Sequence, residues 1–171
     1  MQIIIRRRSD NGRIATLEQV ISCKVQEKLS TVKTLSFESL LEGDIERVND
    51  RDAYVVEYDE DYYDVAKVKK ALRRGMYQIS IDCEHVSYRL TTEAETINNF
   101  SYTGTPRQIL TQLLIGTEFH VGRVEPSEVA TFSITSEMTC RAAILSYAAS
   151  MGYDVEFEDF YVHIYTHRGD T

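Results

Sequence analysis

The chain has 171 residues, enough for one domain or two small ones, and its 43% hydrophobic and 27% charged content is that of a folded globular protein. A net charge of −8 repels nucleic acid phosphates and leaves no basic domain of the kind a sequence-specific DNA binder carries. No apolar run approaches the ~20 residues that span a bilayer.

The first hundred residues read as strands. Gln2 to Arg6 is a short apolar strand; charge follows the isoleucines instead of preceding them, which is not the order of a secretory signal. Asn11-Gly12 favours a tight hairpin turn. Val20 to Leu29 alternates, with Ile21, Cys23 and Val25 on one side, and the pattern resumes through Leu35 and Phe37, giving a hairpin over about 20–40. Ile45 to Val48 is expected as a short edge-like strand, Asn49 to Asp52 as a turn and Ala53 to Glu57 as a strand. Met76 to Val86 alternates clearly after the turn Arg73-Arg74-Gly75, and such a strand wants a partner before it. Tyr62 to Leu72 is therefore read as a strand, although its lysines, alanines and leucine allow a helix. Thr91 to Tyr102, polar and without clear period, is the expected junction between modules at 1–100 and 101–171.

In the second module Thr105 caps a helix, Pro106 suits its first position and Gly116 suits the position past its last turn. Ile109, Leu110, Leu113 and Leu114 share the face that should be buried. Strands are expected near 118–124 and 129–134. Ser136 is then placed as the cap of a second helix, with Glu137 in its first turn and Cys140, Ala143, Ile144, Tyr147, Ala148 and Met151 as its apolar stripe. Gly152 ends it, and 153–157 with 160–165 form a hairpin. The module reads α-β-β-α-β-β, a weak internal repeat.

Little of this carries chemistry. Cys23, Cys83 and Cys140 are odd in number and lack a CxxC pair, which argues for reduced thiols and small core residues in a protein made in a cytoplasm. His163 and His167 would lie roughly 13 Å apart on an extended chain, beyond a shared metal ion, and there is no HExxH. No GxSxG, no Cys–His context and no GK[ST] loop is present, so neither an enzyme nor a cofactor site is expected. Eleven tyrosines without tryptophan suit strands that are half buried, or buried only on assembly. The charge runs stand out. Glu57, Asp59, Glu60, Asp61 and Asp64 are followed at once by Lys67, Lys69, Lys70, Arg73 and Arg74. They are either the solvated end of a hairpin or complementary contacts between neighbouring subunits.

Four segments in this order, ISCKVQEKLSTVKTLSFESLLEG, VKKALRRGMYQISIDCEHVSYRL, TPRQILTQLLIGTEFHVGRV and YDVEFEDFYVHIYTHRG, resemble the N-terminal region of tail-tip hub proteins of long-tailed bacteriophages and prophages. That group includes the tail-associated lysins and the prophage tail-endopeptidase family. The resemblance implies an α+β chain in which an N-terminal antiparallel β-barrel-like module continues the tail tube and a small α+β module is inserted into it. It implies a trimeric ring in the virion tail, other tail-tube and baseplate proteins as partners, and a lumen whose acidic lining lets DNA slide without sticking. Family members are usually much longer, and the peptidoglycan-cleaving domains of some relatives have no counterpart in these residues, so lytic activity does not carry over. The rival expectation is an α+β ligand-binding or adaptor domain with no tail role, which a deep pocket with convergent polar groups would favour.

Overall fold

The computed structural model describes residues 2–28, 30, 32–48 and 53–167. The expected turn at Asn49 to Asp52 lies outside them. The chain is α+β, rich in strands, and divides into two compact units, Met1–Val86 and Ser87–Thr171.

The first unit is one antiparallel sheet of seven strands in the order β2-β1-β5-β6-β7-β4-β3. The strands are β1 (Ile3–Arg7), β2 (Arg13–Leu17), β3 (Val20–Lys28), β4 (Val32–Leu40), β5 (Tyr54–Tyr58), β6 (Asp61–Arg73) and β7 (Met76–His85). The expected hairpin over 20–40 is present, and so is the strand read over 62–72. Turns with positive φ at Asp59 and Glu60 (52° and 63°), and at Arg74 and Gly75 (51° and 76°), close the hairpins on either side of β6, as two-residue primed turns do.

The sheet is curled. Ile3 and Ile5 of β1 share one core with Leu35 and Phe37 of β4, strands that would lie about 19 Å apart in a flat sheet. The two edge strands, β2 and β3, are joined by Glu18 and Gln19 alone. They approach at that corner, where Ser39 Oγ donates to the Gln19 carbonyl at 3.1 Å. Beyond the corner no ladder pairs β2 with β3 among the described residues, so the barrel is not closed.

Two local expectations change. Ile45 to Val48 is not a strand. Gly43–Arg47 forms a 3₁₀ turn that drops Ile45 and Val48 into the core, and their i, i+3 spacing suits a helical turn where alternation would have suited a strand. Cys23 is exposed, because β3 is an edge whose side chains lack cover, whereas Cys83 and Cys140 are buried.

The second unit contains α1 (Arg89–Thr92), β8 (Phe100–Gly104), α2 (Pro106–Leu113), β9 (His120–Val124), β10 (Ala130–Ile134), α3 (Cys140–Met151), β11 (Asp154–Glu158) and β12 (Tyr161–Tyr165). Thr105 caps α2 through a capping box with Gln108, and Ile109, Leu110, Leu113 and Leu114 are buried as the pattern required. The cap of α3 is Thr139, three residues later than expected, with its side chain accepting from the Ala142 amide. The two-way hydrogen bonding between Ile97 and Met138 holds the chain extended up to that point, so no helix can begin at Ser136. Glu137 instead accepts from Thr96 Oγ1 at 2.8 Å. The strands expected near 118–124 and 129–134 are β9 and β10, and they do not pair with each other: β9 runs parallel to β12, and β10 pairs with β8.

Candidate functional site

One face of the first sheet carries the core, and its two ends differ. At one end stands Asp61, the first residue of β6, whose Oδ1 lies 2.7 Å from Nε2 of His85, the last residue of β7. Lys33 of β4 makes an ion pair with the same carboxylate. Burial by itself opposes ionisation of Asp61. The hydrogen bonds and charges of His85, and then of Lys33, outweigh it and hold the carboxyl at about 2. Tyr63 sets its ring edge against His85 at 5.6 Å between centroids, and burial followed by the charge of Asp61 pushes its hydroxyl well above the ordinary range.

At the other end the same face runs out into solvent. β5 pairs with β6 only as far as Asp64, and a bulge between Val65 and Lys67 follows directly. From Lys67 onward β6 has β7 on one side and no strand on the other, among the described residues. The cross-strand pairs Val65–Cys83, Val68–Ile81, Lys70–Ile79 and Leu72–Tyr77 continue the core face outward. Ile79 and Ile81 are fully buried, but Leu72 is 60% and Tyr77 65% exposed, and Met76 beside them is 48% exposed.

The ten charged residues singled out in the sequence therefore fall at opposite ends of one long strand. Glu57 is held by Arg6 at 2.8 Å, Asp61 by His85 and Lys33, and Asp64 stands in the ladder between Val55 and Glu84. Asp59 and Glu60 occupy the β5–β6 turn. The basic run lies along the free part of β6 and its turn, where lysines discourage uncontrolled strand addition. Lys70 donates to the Glu46 carbonyl at 2.7 Å and Arg73 reaches Glu38 at 3.3 Å. Thirteen residues of strand put the two ends roughly 40 Å apart, so the Asp59–Glu60 turn and the Arg73–Arg74 turn do not meet within the chain.

The second unit uses its charges internally. Arg89, 8% exposed, reaches Glu118 at 2.8 Å and lies over the Phe160 ring. Arg141 is stacked between Tyr88 and Phe157, and burial lowers its basicity. No motif marks these two arginines in the sequence. His163 Nδ1 accepts from the Arg123 amide at 2.8 Å, which fixes its tautomer, and Gly122 lies beneath the ring. Tyr161, His163 and Tyr165 stack along β12. Among the described residues no group of three His, Cys, Asp or Glu is placed to hold a metal ion, and no helix is long and apolar enough to cross a membrane. What the first unit offers is contact surface: the open edges of β2 and β3, a lysine-lined stretch of β6, and an uncovered apolar tip.

No family model and no curated protein matches the sequence. The fold, however, is similar to that of solved tail proteins. The prophage tail protein gp18 from Listeria monocytogenes EGD-e superposes with a TM-score of 0.74 at 13% identity, over 96% of this chain and 50% of that one. The tail protein from Neisseria meningitidis MC58 gives 0.63 at 13% identity, over 95% of this chain and 49% of its own. The prophage MuSo2 43 kDa tail protein from Shewanella oneidensis gives 0.62 at 12% identity, over 95% and 52%. The chain thus spans about half the length of the tail proteins it matches, and at these identities the likeness is one of fold.

Proposed function

We propose that the chain is a non-enzymatic structural component of a bacteriophage or prophage tail, placed at the tail tip in the baseplate hub. In this reading residues 1–100 act as a barrel-like module and three copies join in a ring that continues the tail tube, with the α+β module of 101–171 inserted into the first. The charged runs around β6 supply contacts between copies. Other tail-tube and baseplate proteins are the partners, and the virion tail is the location.

The observation that carries this reading is the likeness of fold to a prophage tail protein over 96% of the chain at a TM-score of 0.74. The open, curled sheet agrees with it. Exposed strand edges and an uncovered apolar tip are liabilities in a free monomer and become contact surfaces in a ring. Native mass by light scattering over a concentration series, followed by negative-stain imaging, tests it. Trimers or rings with a central hole are expected. A strict monomer, or an assembly with no central opening, overturns the ring and favours a ligand-binding or adaptor domain.

A further inference from the structure

We infer that the outer half of the β6–β7 hairpin, residues 67–77, is an arm that grips a second copy of the chain at its Asp59–Glu60 turn, a contact that rests on the hub reading and deepens it. The arm has an apolar face at its tip and a basic opposite face that ends in the basic turn. Leu72 and Tyr77 face each other on the core side of the hairpin, beyond the point where the sheet's own core covers them, and Met76 adjoins them. β4 flanks β7 as far as Tyr77, whose carbonyl accepts from the Leu41 amide at 2.9 Å, yet the apolar side chains at the hairpin end stay uncovered, and such a cluster is a partner surface more than a folding requirement. Arg74 lies in the turn that closes this tip, and Lys67 and Lys69 stand on the opposite face of the same strand; all three are exposed and make no ion pair with another described residue.

The occupant follows from charge. Asp59 and Glu60 are exposed at the opposite end of β6 and likewise make no ion pair with another described residue. Their turn cannot reach the basic tip of its own chain across roughly 40 Å of strand. In a second copy placed head to tail, the tip of one molecule meets the turn of the next. Such a contact joins two different patches, so repetition of it yields a closed ring or an open filament. A chain of net charge −8 also gives a basic tip an acidic surface to meet in every other copy.

Charge exchange tests the arm. Lys69→Glu with Arg74→Glu reverses the tip, and Asp59→Asn with Glu60→Lys reverses the turn; asparagine keeps the left-handed backbone that position 59 needs. Each double variant is first matched to the parent in urea midpoint, then compared by sedimentation velocity across protein and salt concentration. Either double variant should weaken self-association about tenfold, and the fourfold variant should regain it. Leu72→Ser with Tyr77→Ser should abolish it at any salt. Rings that form unchanged in every variant overturn the arm and leave the hub reading standing. Charge-responsive filaments or dimers without rings keep the arm and overturn the hub. A monomer at every concentration overturns both. Binding of short duplex DNA that Lys69→Glu with Arg74→Glu removes, with self-association untouched, overturns the arm in favour of a nucleic acid partner.

Discussion

Asp61 Oδ1 and His85 Nε2, 2.7 Å apart, close one end of the sheet's core face with charge, while Leu72 and Tyr77 leave the other end open. The Asp61 carboxyl ionises at about 2 in the fold against an ordinary value of 3.8. Because the folded value is depressed, its contribution is complete above the ordinary value and is lost as pH falls towards 2. The loss amounts to about 2 kcal/mol. Asp61→Asn should cost about 3 kcal/mol near neutrality, since it leaves Lys33 and His85 facing a neutral amide. Urea midpoints at a series of pH values check both effects. The parent should lose stability between roughly pH 5 and pH 2, and the variant should lack that component.

Gly122 and Gly152 are needed for different reasons, and alanine at each separates them. Gly152 has φ of 71° at the end of α3, and a Cβ there would meet no heavy atom within 4 Å, so Gly152→Ala should cost about 1 kcal/mol from backbone strain alone. A methyl group at Gly122 would overlap the His163 ring, so Gly122→Ala should cost about 2 kcal/mol from overpacking. Adding His163→Ala should recover part of the second loss and none of the first. Thermal unfolding of the single and double variants measures this coupling.

The three thiols should react at separate rates. Cys23 is exposed on β3. Cys140 is buried, donates to the Leu113 carbonyl at 3.2 Å and is pushed up to about 11 by burial. Cys83 is buried in the sheet core and raised well above its ordinary value by burial first and by Asp82 and Asp64 next. Titration of the native protein with a thiol reagent should find one fast group, and titration in denaturant should find all three. Cys23→Ser should remove the fast phase.

Much of the fold is legible in the sequence because local chemistry and tertiary structure agree. Thr105, Pro106 and the buried face of α2 can be read directly, and so can the alternation of β7. The phase of β6 cannot. Its alternation breaks at the bulge between Val65 and Lys67, so Val68 returns to the core face on which Val65 lies, and a simple count of odd and even positions fails. Asp61 stands in a run of acids, yet it lies in phase with Tyr63 and Val65; that phase is the available signal that it faces inward. The parallel pairing of β9 with β12 joins segments about forty residues apart, and nothing in either strand specifies it. The charge runs are visible as runs, but only the end of β5 pairing at Asp64 shows why the lysines are there.

That last relation yields a prediction about solubility and not stability. Beyond Asp64 no strand among the described residues pairs with the outer side of β6, and Lys67 and Lys69 point away from the core there, opposite Asp82 and Ser80. Replacing both lysines with valine raises β propensity and removes the charge that keeps another strand from adding there. The double variant Lys67→Val with Lys69→Val should keep its stability in urea to within about 0.5 kcal/mol, because exposed positions contribute little to folding. It should nevertheless aggregate into species that bind an amyloid dye, and added salt should not dissolve them. Introducing proline at position 69 in place of valine should suppress that aggregation, because proline lacks the donor that strand addition needs. If the valine variant stays as soluble as the parent, the basic run has no protective role on this edge, and its charges are then required for contact with a partner alone.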